Sequence, residues 1–230
     1  MELMHLEKEM KKGMSLEKQK TSGSLVNLLV TLNWAAKKDL DLSIAFKRNG
    51  ENQVRKFELC DENDVLFFNN KKTKNGFAVL TEDNRNGIDV DTEDTLKKLG
   101  VKEYQKITQK FDEAFLINLK QLEATHDAFY IVVTNYDGTP FSSLSNPNEK
   151  PTIIVSFYDA DQAIHINNNS EWVFSTQIMP DASGFVVAKL FLNDQKEWVA
   201  QSMAESIKDN DGSGKMTIAD AIIEIINKKI

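Results

Sequence analysis

Two stretches of this 230-residue chain concentrate acidic and amide oxygen in turn-forming sequence. One is Leu80-Thr81-Glu82-Asp83-Asn84-Arg85-Asn86-Gly87-Ile88-Asp89-Val90-Asp91-Thr92-Glu93-Asp94, and the other is Asp209-Asn210-Asp211-Gly212-Ser213-Gly214-Lys215-Met216-Thr217-Ile218-Ala219-Asp220. Hard divalent cations, calcium above all, take about six to eight oxygen ligands, so carboxylates two residues apart on a turning chain are the sequence form of a calcium site. An acid-rich loop alone is more often a solvated surface segment, and the argument for a cation rests on the residues around it.

The second stretch has the spacing of an EF-hand loop. Asp209 and Asp211 take the first and third positions, Ser213 the fifth, Gly214 the sharp turn, the Lys215 carbonyl the seventh and Asp220 the last. Asp220 is one methylene shorter than the usual Glu, which predicts weaker calcium binding or more tolerance of magnesium. The incoming half of the motif is the weaker one, because residues 197–208 also read as a strand. No second EF-hand accompanies it, and the competing reading is a polar turn that joins two elements.

Other chemistries are missing from the pattern. His5, His126 and His165 lack metal-ligand spacing, and there is no phosphate loop, nucleophile elbow or His-Glu zinc helix. Cys60 is the only cysteine, which removes intramolecular disulfides and cysteine-based zinc clusters and suits the cytoplasm. It reads as a structural thiol. A net charge of −7 with a pI near 5.1 and no basic stripe argues against nucleic-acid binding. The charged first twenty residues hold no signal-peptide core, and no later apolar run reaches membrane-spanning length; peripheral membrane association stays open.

The elements that must position these residues read mostly as short strands. Val26, Leu28, Val30, Leu32 and Trp34 alternate with polar residues, as do Leu40, Leu42, Ile44 and Phe46. On the second of these strands Asp39 and Asp41 share the opposite face. Further strands are expected at 54–59, 64–68, 77–80, 114–119, 128–134, 152–158, 171–176, 185–192 and 197–201. Turn-rich separators such as Arg48-Asn49-Gly50 favour a mainly β fold, a β-sandwich of mostly antiparallel strands. Two helices interrupt it: an inserted one over 95–111, with Leu96, Leu99, Tyr104, Ile107 and Phe111 at helical spacing, and a C-terminal docking helix over 218–230 carrying Ile222, Ile223, Ile226 and Ile230. Trp34, Trp172 and Trp198 are expected in the core. The organisation expected is an N-terminal tail (1–13), a sandwich domain (14–207) and an EF-hand-like loop with its helix (208–230).

Four pieces in order, Leu32-Asn33-Trp34, Asp39-Leu40-Asp41-Leu42-Ser43, Val65-Leu66-Phe67-Phe68-Asn69-Asn70 and Asp83-Asn84-Arg85-Asn86-Gly87 with its acidic continuation, form a succession that resembles the TerD family of tellurite-resistance and stress-response proteins. Phe115-Leu116-Ile117-Asn118-Leu119 and Tyr130-Ile131-Val132-Val133-Thr134 match that family's next strands. The resemblance covers roughly 14–207 and implies a calcium-binding β-sandwich without enzymatic activity. Carried over residue by residue, it makes Asp39, Asp41, Asn69, Asn70, Asp83, Asn84, Asp89, Asp91 and Glu93 the candidate ligands. Ala35 stands where the family usually has Asp, Lys37 sits near another acidic position, and Glu82 and Ile88 replace a glycine and an acid. These departures predict the loss or weakening of one of two family metal positions. The helical segment after the loop lies outside the family pattern.

The expectation is therefore a cytoplasmic, non-enzymatic calcium-binding protein of the stress-response type, acting as a calcium-dependent interaction module with calcium ions and a protein partner. The competing expectation is a structural or assembly protein whose acidic loops are solvated and whose C-terminal helix makes protein contacts. A metal-activated hydrolase is the least favoured, since nothing marks a general base beside an open coordination position.

Overall fold

The computed structural model describes residues 14–15, 25–34, 39–56, 60–82, 84, 92–135, 140–141, 152–166, 171–175, 182–207, 223–224 and 226–227. Strands follow in chain order as β1 (Met14–Ser15), β2 (Asn27–Trp34), β3 (Leu40–Arg48), β4 (Val65–Leu66), β5 (Ala78–Leu80), β6 (Glu113–Asn118), β7 (His126–Asn135), β8 (Thr152–Asp159), β9 (Ile164–His165), β10 (Glu171–Ser175), β11 (Gly184–Leu192) and β12 (Trp198–Ile207). They form two antiparallel sheets. One has the order β1-β12-β11-β7-β3-β4 and the other β10-β8-β2-β6-β5, with β9 beside β8. The β-sandwich expected from the alternation is what the chain forms.

Period two decides which residues meet between the sheets. Leu28, Val30, Leu32 and Trp34 of β2 face Leu40, Leu42, Ile44 and Phe46 of β3, with Phe115, Phe129, Phe157 and Phe185 filling the same core. Trp34, Trp172 and Trp198 are all buried, as expected. Phe46 makes an edge-on contact with Phe77 at 5.3 Å between ring centroids, the geometry the ring quadrupole favours.

Both outer faces are also covered. On the sheet containing β2, Leu29 and Ala114 point outward and pack under Leu96, Val101, Ile107 and Phe111. These come from the inserted segment, which is helical over α1 (Thr92–Leu99) and again in a 3-10 turn at Tyr104–Lys106, not over one continuous 95–111 helix. Gly100, with φ +85°, takes the left-handed conformation that ends α1. On the other sheet, Ala45, Val65, Tyr130, Val132 and Val186 pack with Val54, Ile223 and Ile226. Ile223-Glu224 and Ile226-Asn227 are helical, so the expected C-terminal docking helix is present where the structure describes it.

Some strand expectations fail for identifiable reasons. Val54 to Lys56 is irregular, because Val54 spends its backbone on a side chain: its N–H donates to Asn227 Oδ1 and its carbonyl accepts from Asn227 Nδ2, both at 2.9 Å. Leu119 opens a short helix, α2 (Leu119–Leu122), because Asn118 caps it by accepting the Gln121 N–H. β12 continues to Ile207, well beyond the expected end at residue 201.

Candidate metal centre

Antiparallel register fixes which strand ends lie together. Leu32 is opposite Glu113, Trp34 opposite Ile153, Leu40 opposite Asn135 and Gly184 opposite Thr134. The end of β2 and the starts of β3 and β6 therefore share one end of the sandwich with the end of β5. Asp39, Asp41, Asn84, Asp112 and Glu113 all stand there.

Glu113 joins the two sheets. β4 pairs with β3 only at Ile44 and Ala45, so its hydrogen bonds stop short of Leu42. Glu113, reaching across from β6, accepts the Leu42 N–H through Oε2 at 2.9 Å and the Asn84 N–H through Oε1 at 3.2 Å. Its neighbour Asp112 accepts the Trp34 N–H through Oδ2 at 2.8 Å and the Asn84 amide through Oδ1 at 2.9 Å. Asn84 of the acidic loop is thus clamped by two adjacent carboxylates. Asp41, Asp112 and Glu113 are 4%, 2% and 3% exposed, so three carboxylates sit out of solvent at one end of the fold. Buried carboxylates are rare unless hydrogen-bonded or bound to a cation.

The expected ligands separate into groups. Asp39 and Asp41 lead into β3 as predicted, and Asn84 lies buried beside them. Asn70 instead closes its own turn: its amide donates to the Val65 and Glu62 carbonyls, and its backbone exchanges hydrogen bonds with Phe67. Asn69 is exposed in that turn. Glu93 lies on the exposed first turn of α1 in an ion pair with Lys97 at 2.8 Å, four residues on. Asp83, Asp89 and Asp91 lie outside the described residues, as do Asp209, Asp211, Ser213, Lys215 and Asp220. What precedes the second acidic loop is strand β12, so the incoming helix of an EF-hand is not formed.

Asp112 and Glu113 are the site residues that the sequence reading missed. The signal was present in Phe111-Asp112-Glu113-Ala114, two acids at the threshold of an apolar strand. The helical periodicity of 95–111 drew that stretch into the insertion instead.

Among the described residues, Asp39, Asp41, Asn84, Asp112 and Glu113 offer side-chain oxygen at this end, the ligand type that calcium takes. No group of three or more His, Cys, Asp or Glu side chains among the described residues is arranged to hold an ion on its own.

A second polar cluster occupies the opposite end of the sandwich. Asp64, fully buried, accepts from Arg48 Nε at 2.6 Å and Nη2 at 2.9 Å, and from the Asp61 N–H at 2.9 Å. Burial pushes the Asp64 carboxyl up, but the Arg48 and backbone hydrogen bonds outweigh it and hold the group below its ordinary value. His126, 1% exposed and stacked near Phe46 and Phe77, is pushed down by burial, with Asp64 Oδ1 at 3.4 Å only partly opposing this. Its other nitrogen meets Thr125 Oγ1 at 2.8 Å. This is a buried histidine with both ring nitrogens partnered. Cys60 is half-buried, its thiol donating to the Arg55 carbonyl at 3.4 Å, and burial pushes its pKa up to about 12. It is an inert thiol.

An antiparallel sandwich with an acidic end built from the starts of β3 and β6 defines the class of fold. The TerD domain model matches residues 6–209, and the chain belongs to the TerD family. The fold is similar to the crystal structure of a homologue of telluride resistance protein (TerD), SCO6318 from Streptomyces coelicolor A3(2), with 14% identity and a TM-score of 0.55, over 84% of this chain and 100% of that one. It is also similar to the crystal structure of the unknown-function protein SAV2460, with 12% identity and a TM-score of 0.54, over 85% of this chain and 100% of that one. None of the curated proteins matches the chain. No helix among the described residues is long and apolar enough to cross a membrane.

Proposed function

We propose that this TerD-family protein binds calcium at the acidic end of its sandwich and acts, without catalysing a reaction, as a calcium-dependent interaction module in a stress response. The observation that carries the reading is the burial of Asp41, Asp112 and Glu113 where the acidic loop enters the fold. Asp39, Asp41, Asn84, Asp112 and Glu113 would hold the ion, with Asp83, Asp89 and Asp91 supplied by the loop. A divalent ion would neutralise acids that otherwise repel one another and would order the loop, coupling binding to local folding. Residues 209–220 supply a second, weaker oxygen set with more tolerance of magnesium. The single, unreactive thiol supports a cytoplasmic setting.

Calorimetric titration of calcium into chelator-treated protein tests the reading. Binding at or below millimolar calcium that weakens in Asp41→Asn is the expected result. Absence of heat at millimolar calcium overturns it.

A further inference from the structure

The turn that leaves β3 carries a chemistry of its own. Arg48-Asn49-Gly50-Glu51 is closed by the Glu51 N–H on the Arg48 carbonyl at 3.2 Å, with Gly50 in third place at φ +77°, as a type II turn requires. This closure leaves the Gly50 N–H out of the turn's own hydrogen bond, and among the described residues it meets no acceptor. Asn49 and Gly50 are both exposed, and a Cβ at Gly50 would find nothing within 4 Å. A second Asn-Gly pair is built the other way round. In Thr73-Lys74-Asn75-Gly76 the glycine is the fourth residue, so its own N–H closes the turn on the Thr73 carbonyl at 2.8 Å. A backbone N–H held in this way gives up its proton more slowly than a free one. The third pair, Asn86-Gly87, lies outside the described residues.

We propose that Asn49-Gly50 is a site of spontaneous deamidation, and that conversion there releases the turn after β3 from the turn before β7. The Gly50 nitrogen, its proton lost to solvent base, attacks Asn49 Cγ. A Cγ–N bond forms, the Cγ–Nδ2 bond breaks, and Nδ2 takes up a proton from water and leaves as ammonia. Water then opens the five-membered imide at either carbonyl, giving aspartate or isoaspartate. No redox partner is needed. Two bonds tie this turn to the one before β7: Asn49 Nδ2 donates to the Glu123 carbonyl at 3.1 Å, and the Asn49 N–H donates to the Thr125 carbonyl at 3.0 Å. The first is exposed, so water competes for it and the amide can rotate toward the glycine. A carboxylate cannot donate to Glu123, and it meets that carbonyl with like partial charge. The isoaspartate form also lengthens the main chain by one carbon, one residue after Arg48, whose guanidinium holds the buried Asp64. This inference does not depend on metal binding.

Full-length protein aged in mildly alkaline buffer, either folded or in urea, tests it by peptide mapping with mass spectrometry. In the folded chain the Asn49 peptide should convert at least about tenfold faster than the Asn75 peptide, and in urea the two rates should converge. Equal rates in the folded chain, faster conversion at Asn75, or a ratio that urea leaves unchanged overturns the proposal. So does an Asn49 peptide that stays intact in the folded chain over the time in which the unfolded chain converts. Asn49→Asp, the linear product, provides the second arm. It should lower the protection of the residue 49 amide against hydrogen exchange by about fivefold or more, with the residue 76 amide as protected as before. A residue 49 amide as protected as in the parent overturns the release.

Discussion

At the scale of single residues, two buried carboxylates decide how the acidic end is assembled. Glu113 occupies a backbone donor on the opposite sheet and another on the acidic loop, so truncating it leaves both donors without this partner. Glu113→Ala should destabilise the fold by about 2–4 kcal/mol, read from the shift in urea midpoint at unchanged slope. Calcium affinity should fall with it if the proposed reading holds, whereas Glu123→Ala, on the exposed opposite end, should change neither. Asp64 and His126 set the acid response. His126 is held below the ordinary histidine value of 6.5, so the unfolded chain binds more protons and stability is lost as pH falls below about 6.5 toward the folded value. Asp64 is held below 3.8, so its contribution is complete above that pH and disappears as pH falls through its folded value. Thermal melts at stepped pH should show two successive losses, and His126→Phe should remove the one near neutrality. These residues show what a sequence can disclose. Asp39 and Asp41 were legible because a strand's period of two places them on one face. Asp112 and Glu113 were not, because their partner Asn84 is 28 and 29 residues away and only the folded insertion brings them together.

At the scale of elements, the strands were legible wherever alternation was long and uninterrupted, as in β2, β3, β7, β8 and β11. The misreadings occur where a side chain intervenes in backbone pairing. Val54 has the composition of a strand but gives its hydrogen bonds to Asn227, and that partner is 173 residues away. The inserted segment had helical periodicity throughout, yet Gly100 halts α1 and the remainder packs as a 3-10 turn and irregular chain. Close packing between strands makes a sharper prediction. A Cβ at Gly184 would lie 2.8 Å from Thr134 Cγ2 and 3.0 Å from the Val133 carbonyl. Gly184→Ala must therefore push β11 away from β7, and it should destabilise by about 1–3 kcal/mol despite its small size. Gly184→Ala combined with Thr134→Ser, which removes the nearest methyl, should recover part of the loss in equilibrium unfolding.

At the scale of the whole molecule, charge is distributed between two ends separated by the strands. Asp41 pairs with Thr134 and Arg48 with His126 on β7, so at roughly 3.3 Å per residue the Asp64–His126 cluster lies about 25 Å from the buried carboxylates. At physiological salt that exceeds the Debye length of about 8 Å several times over. The acid response should accordingly be insensitive to calcium: adding the ion at pH 7 should raise the melting temperature, and removing it with chelator should lower it, while the pH of the His126-dependent loss stays fixed. A calcium-dependent shift in that pH would contradict the separation. The bond between Asn84 and Asp112 has a different kind of consequence. The chain leaves the sandwich and re-enters it at one point, so the excursion between them is closed by a latch that does not depend on what lies inside. The entropic penalty of a closed loop grows only logarithmically with its length. The exposed positions of the excursion are therefore open to exchange, whereas Leu96, Val101, Ile107 and Phe111 are tied to the strands they cover at Leu29 and Ala114.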